Sequence, residues 1–225
     1  MRKEIQRRVV GIGDIHGRYD LLLDLVERSI IFNPETDKLV FLGDYIDRGP
    51  QSRDVVEYLS GLKTHYPGQI ILLKGNHEEM AFNALTGDNN GWSDAHMLWL
   101  VNGGLTTINS YKGIENARGA LVQFTLSLKY YHETANHVFV HGGIPDGKST
   151  ETATADEMLW DRSFSYQGEK MLVVGHTPKS RVAKLGNIIC LDTGAYATGI
   201  LSAYDVLNDR VYQTCLNEEQ SRADR

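Results

Sequence analysis

The sequence predicts an α/β protein built on parallel strands, and two observations carry that prediction. Short apolar runs alternate with segments whose apolar residues recur at helical spacing through the first half of the chain. Five apolar runs end in glycine beside a polar, metal-capable residue, and in open α/β sheets ligands gather beyond such carboxyl ends of strands.

The elements follow in order. "RVVGIGD" reads as a short buried strand, and "YDLLLDLVERSI" as a helix with apolar positions at 3.6 spacing. "KLVFLGD" is a second strand, and "SRDVVEYLSGLKTHY" a second helix, with Ser52 as its N-cap. "QIILLKGNH" is a third strand, followed by "EEMAFNALTG"; this βαβαβ order implies parallel strands with helices on the faces. Residues 87–118 are less regular, with "GDNNGW", "NGG" and "KGIENARG" as loop signals. "ALVQFTLSLKYYHE" reads as helix and leads into a fourth strand, "HVFVHGG". After a polar loop at 146–156 come "KMLVVGH", "NIICLD" and "ILSAYDVLNDRVYQT", the last a hairpin turning at Asn208–Asp209. No repeat or linker interrupts the chain, so one domain spanning 1–225 is expected.

Composition narrows the function classes. With 41% hydrophobic and 23% charged residues, the 225-residue chain is globular and long enough to bury a substantial core. A net charge of −6 argues against general affinity for nucleic acid or anionic membranes, which calls for broad basic surfaces. Cys190 and Cys215 form neither a disulfide framework nor a metal knuckle. The basic N-terminus lacks the apolar stretch of a signal peptide, and no segment approaches the roughly 20 apolar residues of a membrane span, so a cytoplasmic location is expected.

The chemistry lies at the strand ends. Folding of "VVGIGDIHG", "LVFLGDYIDRG", "ILLKGNHE", "VFVHGG" and "MLVVGH" would bring Asp14, His16, Asp44, Asp47, Asn76, His77, His141 and His176 to one edge. A single histidine at a strand end is more often structural, and a single aspartate there is often a helix N-cap. Five strand ends with the same kind of residue are not explained by capping. Carboxylate, imidazole and amide donors suit Mn²⁺, Fe or Zn²⁺ rather than thiolate-selecting metals. Six ligands exceed one four-coordinate ion and fit two ions sharing a carboxylate, an arrangement that clamps both oxygens of a phosphoryl displacement.

The motifs "GDIHG", "GDYIDRG", "GNHE", "HGG" and "GH", in that order across residues 9 to 199, resemble those of serine/threonine phosphoprotein phosphatases within the calcineurin-like metallophosphoesterases. The short chain and its "LDTGAYATGILSA" ending are similar to compact bacterial and phage members. The resemblance implies a sandwich of two mixed β-sheets flanked by helices, with a dinuclear site at its rim. It implies Asp14 and His16 on the first metal, Asp44 as bridge, and Asn76, His141 and His176 on the second. Two divalent ions are expected, Mn²⁺ first, with Fe and Zn as alternatives. Arg48, Arg162 and Asn76 are the implied phosphate contacts; a guanidinium offers paired donors to phosphate oxygens. His77 is the implied general acid, with Asp47 fixing its tautomer, and a metal-bridging hydroxide the implied nucleophile.

The expected activity is a metal-dependent phosphatase acting on phosphoserine and phosphothreonine in proteins or peptides, with phosphotyrosine as a further substrate. The alternative is a symmetrical dinucleoside tetraphosphate hydrolase or another nucleotide phosphoesterase, since those enzymes share the motifs. A non-catalytic scaffold ranks last because every expected ligand is present. His65, His96, His132 and His137 read as surface or packing residues, and Trp92, Trp99, Tyr130 and Tyr131 as core or helix-face residues. Glu78 and Glu79 read as a helix first turn, where negative charge is favourable. Asp192 reads as structural, and Tyr196 as bordering the site.

Overall fold

The computed structural model describes residues 8–87 and 93–214, so Trp92 and Cys215 lie outside the described residues. The described strands form two five-stranded sheets. In the first, β1 (Arg8–Ile12), β2 (Asp37–Phe41) and β3 (Ile70–Leu72) run parallel, with Ile12 opposite Phe41 and Phe41 opposite Leu72. The hairpin of β9 (Ser202–Asp205) and β10 (Arg210–Gln213) adds antiparallel to the free side of β1. Its turn includes Asn208 and Asp209, as the sequence predicts, and Asp209 takes a left-handed φ of 51°. In the second sheet, β5 (His137–Val140), β6 (Met171–Val174) and β8 (Ile188–Cys190) run parallel between antiparallel edges β4 (Tyr131–Glu133) and β7 (Ala183–Leu185).

Alternation of side chains makes this a sandwich. Val40, Leu42, Ile71 and Leu73 of the first sheet meet Phe139, Val173, Ile189 and Leu191 of the second in one buried layer. Their neighbours Leu39, Phe41, Ile70 and Leu72 point the other way, into a core shared with the helices. Val138, Val140, Leu172, Val174, Ile188 and Cys190 fill a third layer outside the second sheet. Both faces of each central strand are therefore apolar, and each fully buried side chain of this kind contributes about 1.5–3 kcal/mol. The two mixed sheets and flanking helices match the sandwich that the family resemblance implies. Helices cover the outer face of the first sheet, because the second sheet occupies its inner face, and helical Met158 packs on the outer face of the second.

Eight α-helices are described: α1 (Tyr19–Leu23), α2 (Ser52–His65), α3 (Asn76–Thr86), α4 (Asp94–Trp99), α5 (Leu105–Ser110), α6 (Ile114–Leu126), α7 (Ala155–Trp160) and α8 (Ala195–Thr198). α1 continues as a π-helical stretch to Ile30, and a second π-helical stretch, Leu100–Gly104, joins α4 to α5. None of the described helices is long and apolar enough to cross a membrane. Three local expectations are corrected. Ser52 is the first residue of α2 rather than its N-cap, and its hydroxyl instead accepts the Asp47 N–H at 3.1 Å. "IENARG" is helical, because Gly113 at φ 133° turns the chain into α6. The helix read through "KYYHE" stops at Leu126, since Tyr131–Glu133 pair with β5 as β4. Cys190 is buried with a free thiol.

Candidate active site

The first sheet delivers its polar residues just past β1, β2 and β3, and the second sheet just past β5 and β6. Asp14 and His16 follow β1, Asp44, Asp47 and Arg48 follow β2, and Asn76 and His77 open α3 directly after β3. His141 follows β5 and His176 follows β6. Asp14, His16, Asp44, Asp47, Asn76, His77, His141 and His176 are all buried. Tight turns hold them: His16, Asp44, Asp47, Arg48 and His176 all have φ between 46° and 71°. A non-glycine residue in that region costs on the order of 1–3 kcal/mol, and such strain clusters at functional sites. Gly75 allows a close approach, since a Cβ there would fall 2.1 Å from Asp44 Oδ1.

Asp44 lies at the centre. Its Oδ2 is 3.4 Å from His16 Nε2, and its Oδ1 is 3.3 Å from His141 Nε2. Ligand atoms of His16, Asp44 and His77 fall within 4.8 Å of one another, as do those of Asp44, His141 and His176. One carboxylate thus belongs to two donor groups. Asn76 joins the second through its side-chain oxygen, 3.0 Å from His141 Nε2. Asp14 lies outside both tight groups; its carboxylate accepts the backbone N–H of His176 at 3.0 Å. Gly175, just before it, leaves room for that carboxylate, because a Cβ there would meet Asp14 Oδ1 at 2.2 Å.

Tautomers show what this set fits. His16 Nδ1 lies 2.8 Å from the Ile46 carbonyl and His141 Nδ1 2.9 Å from the Leu42 carbonyl. A carbonyl only accepts, so Nδ1 carries the proton in both rings and Nε2 turns towards Asp44. Burial lowers the pKa of His16 to about 3, lowers that of His141, and lowers that of His176 to about 3 with help from His141. Neutral ring nitrogens therefore face a carboxylate lone pair to lone pair. Burial also raises the pKa of Asp14 well above the carboxylate range, helped by Asp192 and Asp44, and raises that of Asp192 to about 6. A group of buried acceptors with few donors among them suits cations of the Mn²⁺, Fe or Zn²⁺ kind.

Beside this group stands a second arrangement. His77 Nδ1 lies 2.7 Å from Asp47 Oδ2, while its Nε2 turns back towards Asp44, 3.9 Å from Oδ2. Burial works against a charge on His77, but Asp44 and then Asp47 outweigh it and raise its pKa. Arg48 Nη1 donates to His16 Nε2 at 2.8 Å, and Arg162 Nε donates to His176 Nε2 at 2.9 Å, so each donor group is reached by one arginine. Tyr196 packs edge-on against His16 and beneath the Arg48 guanidinium, and Trp160 packs edge-on against His176.

The structure also places residues that sequence patterns did not single out as part of the site. Glu78 has no exposed surface, and its carboxylate accepts the backbone N–H groups of Asp44, Tyr45, Ile46 and Gly75. It sits in the first turn of α3 as expected, yet it also fixes the loop that carries Asp44. Trp99 is core, as its sequence reading has it, and its indole N–H also reaches Asp47. Asp192 accepts the Gly194 N–H and turns the chain towards Tyr196.

Comparison with known proteins agrees with this geometry. Residues 7–201 match the family model described as calcineurin-like phosphoesterase. The chain is 31% identical to serine/threonine-protein phosphatase 1 of Salmonella typhimurium, over 87% of this chain and 90% of that protein. It is 30% identical to serine/threonine-protein phosphatase 2 of Escherichia coli, over 89% of this chain and 93% of that protein. Among solved structures, a protein provisionally named a diadenosine tetraphosphatase superposes with a TM-score of 0.72 at 19% identity, covering 94% of each chain. A cold-active protein-tyrosine phosphatase from Shewanella superposes at 0.63 with 22% identity, over 92% of this chain and 77% of that one. On the family match and these bacterial relatives, the chain belongs to the calcineurin-like metallophosphoesterases.

Proposed function

We propose that this chain is a metal-dependent phosphoprotein phosphatase that hydrolyses phosphoserine and phosphothreonine monoesters. The observation that carries the reading is the single Asp44 carboxylate between two donor groups, with the His77–Asp47 pair beside it. The names of the curated bacterial relatives support the choice of substrate.

Asp44, His16 and Asp14 would hold one divalent ion, and Asp44, Asn76, His141 and His176 the other; Mn²⁺ is our first assignment. Such ions supply Lewis-acid charge and activate water for attack on phosphorus. The chain's own residues do the rest. Arg48 and Arg162 give up their contacts with the histidines and present donors to phosphate oxygens, with Asn76 beside them. His77 donates a proton from Nε2 to the departing alkoxide, while Asp47 keeps the other ring proton on Nδ1.

The test compares leaving groups. His77→Asn is expected to lower kcat on a phosphoserine peptide by about 10²–10³ and on p-nitrophenyl phosphate far less, because only the alkoxide needs protonation. Equal losses on both would remove His77 from the role of acid. Diadenosine tetraphosphate, assayed alongside with Mn²⁺, addresses the substrate class. Turnover of the dinucleotide above that of the peptide by orders of magnitude would replace the phosphoprotein reading with a dinucleoside tetraphosphate hydrolase.

A further inference from the structure

Asp47 is completely buried, and a carboxylate in that position needs every acceptor site filled. His77 takes only one of them. Trp99 Nε1 lies 3.0 Å from Oδ1 and 3.1 Å from Oδ2, and the Thr107 hydroxyl donates to Oδ1 at 2.6 Å. The same Thr107 oxygen accepts the Asp47 backbone N–H at 2.8 Å, and the Ser52 hydroxyl sits 3.0 Å away. Thr107 therefore grips both the main chain and the side chain of Asp47.

The chain between these two donors is shaped for that grip. Trp99 ends α4 and Thr107 lies in α5, joined by the π-helical Leu100–Gly104. Gly103 at φ 105° breaks the helical path there, and a Cβ on it would come within 3.0 Å of the Arg48 nitrogen. A Cβ on Gly104 would strike the Trp99 ring at 2.8 Å. The kink thus presses one bent helical segment against the Asp47–Arg48 turn, and π-helical insertions of this kind often mark functional positions.

We propose that Trp99 and Thr107 are positioning residues for the reaction, holding Asp47 so that its Oδ2 clamps His77 Nδ1 and aims Nε2 at the leaving oxygen. This rests on the reading of His77 as the acid. Neither residue touches the substrate. Their effect is confined to the step in which the alkoxide leaves.

The experiment uses the full chain with Mn²⁺ and measures kcat and KM for a phosphoserine peptide and for p-nitrophenyl phosphate. Thr107→Val keeps the shape and removes the hydroxyl, whereas Thr107→Ser keeps the hydroxyl. The expected result for Thr107→Val is a fall of about tenfold in kcat on the peptide, part of the 10²–10⁴ available to acid–base catalysis, with KM within about twofold. The nitrophenyl ester is expected to lose less than about threefold, and Thr107→Ser to recover most of the peptide rate. Trp99→Phe is expected to give the same pattern; if it does not fold, the two Thr107 variants decide alone. Equal losses on both substrates, or no recovery in Thr107→Ser, would overturn the proposal. His77→Asn run in parallel separates the two ideas. If it discriminates between substrates and Thr107→Val does not, only the positioning role fails; if it does not discriminate, the acid assignment fails first.

Discussion

On the proposed function, two aspartates three residues apart do different work, and their substitution is expected to separate metal binding from proton transfer. Asp44 belongs to both donor groups, whereas Asp47 belongs to neither and binds His77 from behind. Asp44→Asn is expected to lower bound Mn²⁺ measured by atomic emission, and Asp47→Asn to leave it near the wild-type level. Asp47→Asn acts on pH dependence. Against burial, Asp44 and Asp47 raise the pKa of His77, so removing one negative charge lowers it. His77 must be protonated to donate, so the basic limb of the kcat–pH profile is expected to move to lower pH in Asp47→Asn. A limb that stays in place would show that Asp47 does not set the proton affinity of the acid. The strand-end residues were legible in the sequence because each motif is local, with donor, glycine and apolar run contiguous. Trp99 and Thr107 were not: each is one residue on a helix, and their partner lies 52 and 60 positions away. Glu78 was legible as a helix first-turn acid, but its burial depends on three N–H groups from another loop.

The bent α4–α5 segment has no strong sequence signature, and its length fell among the irregular stretches around 87–118. Its order comes from tertiary contact with the Asp47–Arg48 turn rather than from propensity, and "NGG" read as a loop is the kink itself. Gly103→Ala tests that contact. A Cβ at φ 105°, 3.0 Å from the Arg48 nitrogen and 3.1 Å from its Cγ, costs roughly 1–3 kcal/mol. At about 2–4 °C per kcal/mol for a chain of this size, the melting temperature is expected to fall by roughly 2–12 °C. KM for the phosphopeptide is expected to rise in the same variant, because the backbone of Arg48 is what the new methyl group displaces. An unchanged KM would mean that Arg48 reaches the substrate independently of this helix pair. The β4 strand has a parallel history: its residues continue a helical pattern, and pairing with β5 overrides it.

For the whole molecule, the βαβ half was readable from periodicity, whereas the second sheet was expected only from the family resemblance. Its central strands are four or three residues long, and such short apolar runs do not reveal their pairing. The assembled site has a thermodynamic cost without cations, since neutral imidazoles and carboxylates converge with few donors. Metal removal is therefore expected to destabilise the fold. At free Mn²⁺ of 100 times Kd, binding adds about 2.7 kcal/mol, so chelation is expected to lower the melting temperature by roughly 5–10 °C. A melting curve indifferent to chelator would argue that the donor groups do not hold metal.

The Asp44 carboxylate follows a strand of the first sheet, while His141 and His176 follow strands of the second, and the apolar layer that includes Val40, Ile71, Phe139, Val173 and Ile189 lies between those sheets. The donor set is in effect a caliper whose jaws are two separate sheets. Mutational drift in that layer is thereby read out as a change in the gap between ligands, far from any residue that a motif would mark.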